Sequence, residues 1–230
     1  MSVAKINKWA MRESGDTLEM IERPGGGLSF VLADGQGSGR AAKAISQLVA
    51  RKVVSLLAEG VRDGAAARAA HDYLYTLREG KVSADLNILS IDLRSRTVVV
   101  SRNSGVPILV VDQGGVRRID DPSQPVGYYA RTKPAIAEIP IIEGTHVIVF
   151  TDGVLEGGMR YGQPVDLAGL LGTVLAEHPG DPQAIADGLL LAAVAADRGR
   201  PEDDMSVLVL SIMPGESADA VRRLMVRFPI

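Results

Sequence analysis

The sequence predicts an α+β fold in which antiparallel sheets are covered by helices. Apolar, strand-like runs come in pairs joined by tight turn signals. Helical patterns come in separate groups between those pairs. Strands and helices do not alternate singly, as βαβ units with a parallel sheet would require.

"DTLEMIE" and "LSFVLA" flank "RPGGG", a glycine-rich turn signal, and read as a β-hairpin. "GRAAKAISQLVARKVVSLLAEG" sets Ile45, Leu48, Val49, Val53, Leu56 and Leu57 at helical spacing, with Gly60 as the stop. A second helix is expected over 65–79, ended by Gly80. "LNILSIDL", "TVVVSRN", "PILVVD" and "VRRID", separated by "RSR", "SGV" and "QGG", read as one antiparallel meander. "HVIVFTDG" is a further strand, and "EGGMRYGQPVD" an irregular loop. Asp181 and Pro182 have the chemistry of an N-cap and first helical position, and Gly199 closes that helix. "MSVLVLSI" is the last strand and "ESADAVRRLMVRF" a terminal helix. No repeat, low-complexity tract or linker divides the chain, so one domain over 1–230 is expected, with a core over 11–212 and a C-terminal extension over 213–230.

Composition limits the function. The 230 residues are 46% hydrophobic and 23% charged, an ordinary globular balance that can bury a substantial core. A net charge of −3 gives no general attraction to nucleic acid. The absence of cysteine excludes disulfides and thiolate metal sites. No run approaches the roughly 18 apolar residues of a membrane span, and the first residues lack a signal-peptide core. A soluble cytoplasmic protein without a membrane partner is expected.

The chemistry concentrates in aspartates at strand ends. Asp16 opens the first strand of the hairpin and Asp34 closes the second, nine residues either side of Gly25. With a compact turn both carboxylates emerge at one end. Asp152 ends "HVIVFT", and Asp203 and Asp204 precede "MSVLVLSI"; if those strands are antiparallel, their acidic ends meet too. Clustered carboxylates repel and need a cation or shared protons. Oxygen ligands without Cys or clustered His suit Mg²⁺ or Mn²⁺. Gly35 and Gly153, each after a candidate ligand, would let the backbone turn sharply. Two such ions could activate a water for in-line attack on phosphorus. A strand ending in Asp-Gly is equally a plain turn, and spacing alone does not choose between the two readings.

"SGDTLEM", "LADGQGSGRAA", "FTDGVLE" and "DDMSVLVL" stand in the order found in the PPM metal-dependent serine/threonine phosphatases. From Met11 to Ile212 the chain resembles their bacterial branch, typified by SpoIIE, RsbU and RsbX. The resemblance implies a four-layer αββα sandwich with a two-metal centre, Mn²⁺ or Mg²⁺, between the sheets. Asp16 matches the first acid, Asp34 the acid bridging the metals, Gly35 a backbone-carbonyl ligand and Asp152 the acid of the "TDG" motif. Asp203 matches the first acid of the closing pair, with its neighbour Asp204 left outside the set. Asp34 and Asp152 are the residues on which catalysis would depend. The stand-alone RsbX type is the nearest analogue, which implies phosphorylated STAS-domain proteins of the stressosome (RsbR- or RsbS-like) as substrates. In SpoIIE-like relatives the helix pair matching 39–80 is implicated in switching.

Some features depart from the pattern or stay outside it. Val106 stands where relatives often carry histidine, and "EGTHVIV" where they often carry Gly-Asp. Arg12 and Arg40 are the candidates for a phosphate-binding arginine, with solvated surface charge as the plainer reading. His71, His146 and His178 fit no metal spacing and read as structural. Asp92 reads as a hairpin residue, and Trp9 as packing on either the core or a partner. "GGMRYGQ" is either a flap facing substrate or a plain loop. A kinase of the GHKL type fails because Gln36 stands where "DxGxG" requires glycine, and a P-loop fails because no Lys-Ser/Thr follows. The remaining alternative is a catalytically silent phosphatase fold that only binds partners, against which the acids at every matched position argue.

Overall fold

The paired apolar runs fold into two antiparallel five-stranded sheets, each with helices on its outer face, in a computed structural model that describes residues 1–214 and Met225. The elements are β1 Ser2–Ile6, β2 Asp16–Glu22, β3 Leu28–Gly35, α1 Gly39–Ala58, α2 Asp63–Arg78, β4 Ala84–Asp92, β5 Thr97–Asn103, β6 Ile108–Asp112, β7 Gly115–Ile119, β8 Ala135–Pro140, β9 His146–Phe150, α3 Asp152–Leu155, α4 Leu167–Glu177, α5 Pro182–Ala196 and β10 Met205–Ser211. One sheet runs β2-β3-β4-β5-β8 and the other β1-β10-β9-β6-β7.

Strand periodicity assigns every side chain to a layer. In β3, Phe30 and Leu32 point between the sheets, against Val147, Val149, Leu208 and Leu210 of the other sheet. Val31 and Ala33 point the other way, onto Val49, Val53, Ala67 and Leu74 of α1 and α2. Val207 and Val209 of β10 likewise meet Leu171, Ile185 and Leu189 of α4 and α5. The result is the expected αββα sandwich. Central strands covered on both faces lose polar alternation and read as continuous apolar runs.

The first hairpin forms as expected, with Asp16 paired to Asp34. Helix α1 ends before Gly60, whose φ of +85° suits a residue without Cβ. Helix α2 starts two residues earlier than expected, at Asp63. The Asp181 carboxylate accepts from the Gln183 and Ala184 N–H groups, capping α5 behind Pro182.

Four features differ from the sequence reading. The expected meander breaks after β5: β6 and β7 cross to the other sheet, where β6 pairs with β9. β1 was not foreseen because it gains its partner, β10, from the far end of the chain. β8 is an edge strand, AIAEIP, whose two isoleucines are diluted by Ala, Glu and Pro of weak β propensity. α4 carries two glycines, each costing a helix about 1 kcal/mol, and was left unassigned between the expected loop over 156–166 and the helix capped by Asp181. The terminal helix expected over 216–228 lies, apart from Met225, outside the described residues.

Phe30, 2% exposed in the inter-sheet layer, tests this packing. Phe30→Ala should cost about 3–5 kcal/mol, read as a lower urea midpoint with an unchanged m-value.

Candidate metal centre

The same periodicity that sends Phe30 and Leu32 between the sheets sends Asp34 there as well. Asp34 lies opposite Asp16 on β2 and opposite Asp85 on β4, so three adjacent strands set three carboxylates in one row. The second sheet closes the gap from the other side. β9 and β10 are antiparallel, so the end of β9, followed by Asp152, lies beside the start of β10, preceded by Asp203 and Asp204. Asp34, Asp85, Asp152 and Asp203 line one cavity of about 300 Å³, together with Lys8, Gly35, Gln36, Gly37, Ser38, Ser83 and Ala84.

Asp16 sits beneath this cavity and ties the sheets together. It is 0% exposed. Its Oδ2 accepts from Ser206 Oγ at 2.5 Å, on β10 of the opposite sheet, and from Thr151 Oγ1 at 3.2 Å, just past the end of β9. Its Oδ1 has no hydrogen-bond partner. The Asp16 backbone carbonyl accepts from Lys5 Nζ and from Lys43 Nζ, each at 2.6 Å. Desolvation lowers the pKa of both lysines, and the Asp16 charge works against that shift.

The two acids of the closing pair have different jobs. Asp204, 2% exposed, accepts from the Lys8 N–H at 3.0 Å and the Gly15 N–H at 2.8 Å, and so pins the segment before β2. Asp203 accepts only from the adjacent Asp204 N–H, at 2.8 Å, and faces the cavity. Asp85 was missed by the sequence reading because its place depends on the β3–β4 register. Its Oδ2 accepts from Ser104 Oγ at 2.5 Å. Ser104 is held in turn by the fully buried Arg102, whose Nη1 donates to the Ser104 carbonyl at 2.5 Å and whose Nη2 donates to the Asp121 carbonyl.

The electrostatics are those of like charges held together in a poorly solvated gap. Burial raises the pKa of Asp34 strongly, and Asp16, Asp152 and Asp85 add to the rise. Asp16 is raised by burial against the hydrogen bond from Ser206. Asp85 is pushed up to about 6, by burial and by Asp152, with Ser104 and Arg102 opposing. Asp203 is raised by burial, partly offset by its hydrogen bond from the Asp204 N–H, with Asp152 adding to the rise. Among the described residues no three His, Cys, Asp or Glu side chains stand close enough together to hold a metal ion by themselves. Mg²⁺ commonly takes one or two carboxylates and keeps several waters. An oxygen-only wall of separated carboxylates, with an unpartnered buried Oδ1 behind it, therefore fits a hard, hydrated cation.

The glycines after Asp34 and Asp152 are needed for a different reason from the sharp turn expected. Neither has positive φ. A Cβ on Gly35 would collide with the Ala42 carbonyl of α1, and one on Gly153 with the Asp204 carbonyl. Each glycine admits a second backbone beside an acid.

The remaining candidates lie elsewhere. Arg40 is exposed and 3.7 Å from Glu13, and Arg12 is exposed; neither lines the cavity. His71 accepts the Gly127 N–H at 3.0 Å, and His146 Nδ1 meets Ser211 Oγ at 2.7 Å. Asp92 accepts the Arg94 and Ser95 N–H groups in a hairpin turn. Trp9 is exposed under the Arg200 guanidinium, 5.5 Å from its ring centre. The "GGMRYGQ" segment does not line the cavity; it is tied down through Gly158 N–H to Asp197 at 2.8 Å and Arg160 to Glu202 at 2.5 Å.

Comparison with known proteins agrees with this architecture. The family model for Stage II sporulation protein E (SpoIIE) matches residues 24–213. Stage II sporulation protein E of Priestia megaterium is 24% identical over 200 residues, covering 86% of this chain and 34% of that protein. The chain thus spans about a third of the length of this curated relative. The PP2C phosphatase domain of SpoIIE from Bacillus subtilis, solved with a fragment of its regulatory domain, superposes with a TM-score of 0.76 at 23% identity, over 90% of this chain and 61% of that one. RsbX in complex with magnesium superposes with a TM-score of 0.68 at 17% identity, over 90% of this chain and 92% of that one.

A raised carboxyl pKa in the folded state means that folding retains protons the unfolded chain would release. That stability is complete below about pH 4, the unfolded carboxylate range, and is lost as pH rises through the folded values, about 6 for Asp85. In EDTA, Tm should therefore fall between pH 4 and 7. Asp34→Asn, which removes a carboxyl that must take up a proton to be buried beside the other acids, should raise Tm in EDTA at pH 7 by about 2–4 °C and shrink the stabilisation by added Mg²⁺. An Asp34→Asn protein no more stable than the parent in EDTA would count against the repulsion.

Proposed function

Since the chain belongs to the SpoIIE family, we propose that it is a metal-dependent protein serine/threonine phosphatase that hydrolyses phosphoserine or phosphothreonine. The observation that carries this reading is the row Asp16–Asp34–Asp85 facing Asp152 and Asp203 across the inter-sheet gap. Such a wall is unfavourable by itself and becomes favourable around divalent cations. Asp34, Asp152 and Asp203, with Gly35, would hold two ions, Mn²⁺ or Mg²⁺, and Asp16 would complete the set from beneath. The ions would supply a water activated at neutral pH and charge neutralisation for the phosphoryl oxygens.

The chain's own residues perform the positioning. Thr151 and Ser206 fix the rotamer of Asp16 and keep one of its oxygens occupied, so the unpartnered Oδ1 is the one left for a cation. Lys5 and Lys43 put positive charge behind Asp16 without reaching into the cavity. Asp34, central in the row between Asp16 and Asp85, would help hold the ions as a carboxylate. The Ser104 hydroxyl orients Asp85 toward the same cavity, as a further acid of the wall.

For substrate we propose phosphorylated STAS-domain proteins of stress signalling, of the RsbR or RsbS kind, acted on in the cytoplasm. The likeness to RsbX along most of both chains supports this. No helix among the described residues is long and apolar enough to cross a membrane.

Hydrolysis of p-nitrophenyl phosphate should require Mn²⁺ or Mg²⁺ and stop in EDTA. Asp34→Asn and Asp152→Asn should each lower kcat by on the order of 10³-fold, since metal ions supply several kcal/mol of transition-state stabilisation, with circular dichroism unchanged. Full activity in both variants would overturn the metal assignment. Phosphate release from a phosphorylated STAS-domain protein should outpace release from unrelated phosphoproteins; equal rates would remove the substrate assignment and leave the phosphatase.

A further inference from the structure

We propose that Lys8 is the cation that holds the phosphoryl group of the substrate in this cavity, an inference that rests on the phosphatase reading above. A phosphomonoester brings a dianion to a wall of carboxylates. Metal ions offset that repulsion on one side, and a protein cation is needed wherever the ions do not reach. Among the described residues Lys8 is the one cation that lines the cavity.

The other nearby cations are committed elsewhere. Lys5 and Lys43 both donate to the Asp16 carbonyl. Arg12 and Arg40 stay outside the cavity. Among the described residues the Lys8 ammonium has neither a hydrogen bond nor an ion pair. It stands close enough to bear on the Asp203 carboxylate, yet no ion pair forms between them.

The backbone that carries Lys8 is fixed while its ammonium is free. Its N–H donates to Asp204 Oδ1 at 3.0 Å, its carbonyl accepts the Met11 N–H at 3.0 Å, and the neighbouring Trp9 N–H donates to the Pro201 carbonyl at 2.9 Å. Asp204 is thereby given a purpose that separates it from Asp203: it fastens the segment that presents Lys8. A half-buried lysine on a pinned backbone is a mobile point charge with three donors. That suits an oxygen of a tetrahedral phosphoryl group whose ester substituent varies from one phosphoprotein to another.

Calorimetric titration of orthophosphate into the Mg²⁺-saturated 230-residue chain tests this without requiring turnover. Lys8→Met should weaken orthophosphate binding about tenfold, the size expected for one hydrogen bond to a charged group. Lys8→Arg should restore it to within about threefold of the parent. A parallel Mg²⁺ titration should show unchanged metal affinity in both variants, and equal Tm values would confirm folding. Equal orthophosphate affinity in the parent and Lys8→Met would overturn the assignment, as would a loss matched by an equal loss of Mg²⁺ affinity, or no orthophosphate binding by the parent. If p-nitrophenyl phosphate is turned over while Lys8→Met binds orthophosphate normally, only the Lys8 assignment falls. Absence of metal-dependent turnover would instead defeat the phosphatase reading.

Discussion

Carboxylates held together at the edge of a low-dielectric gap repel one another, and much of this molecule can be understood as a frame that withstands that repulsion. Two sheets stack with the Phe30–Leu208 layer between them, and helices cover both outer faces. The strands that carry Asp34 and Asp85, β3 and β4, are therefore braced on two sides. The acids lie where the apolar layer ends, so the core supplies the rigidity that keeps like charges near each other.

Asp16 is where the two halves of the frame are joined. Its own strand belongs to one sheet, while the hydroxyls that hold it come from the other side: Ser206 on β10 and Thr151 just past the end of β9. Both follow the alternation that places Val149 and Leu208 in the same inter-sheet layer. A hydroxyl at each position satisfies one oxygen of a buried carboxylate without adding charge. Two lysines then bind the backbone of Asp16 rather than its carboxylate. Positive charge thus supports the acid from behind and leaves its second oxygen uncommitted.

Parts of this were legible from the sequence because they depend on local geometry. The equal spacing of Asp16 and Asp34 from Gly25 fixes their pairing through one short turn, and the antiparallel run of β9 against β10 brings Asp152 to Asp203. What stayed hidden depends on distant pairings. Asp85 reaches the row only through the β3–β4 register, and Lys8 reaches the cavity because β1 pairs with β10 across nearly the whole chain. The crossing of β6 and β7 to the second sheet was hidden for a related reason. Strands covered on both faces carry no alternation to say which sheet they join.

The glycines of the two Asp-Gly pairs show how the acids are placed so accurately. A turn glycine would have left the following backbone free to vary. Gly35 and Gly153 instead sit in ordinary backbone conformations and are required because another chain segment presses against them. At Gly35 that segment is helix α1, which also carries Lys43 to the Asp16 carbonyl and Ser46 to the Thr17 hydroxyl at 2.7 Å. At Gly153 it is the Asp204 backbone, which leads into β10. Each acid is therefore located by the element packed against its glycine as well as by its own strand. A rotation of α1 by even a fraction of a turn would move Ala42, Lys43 and Ser46 together, and with them the surroundings of Gly35, Asp34 and Asp16. The geometry of the cavity is thereby coupled to the docking of one helix on the sheet.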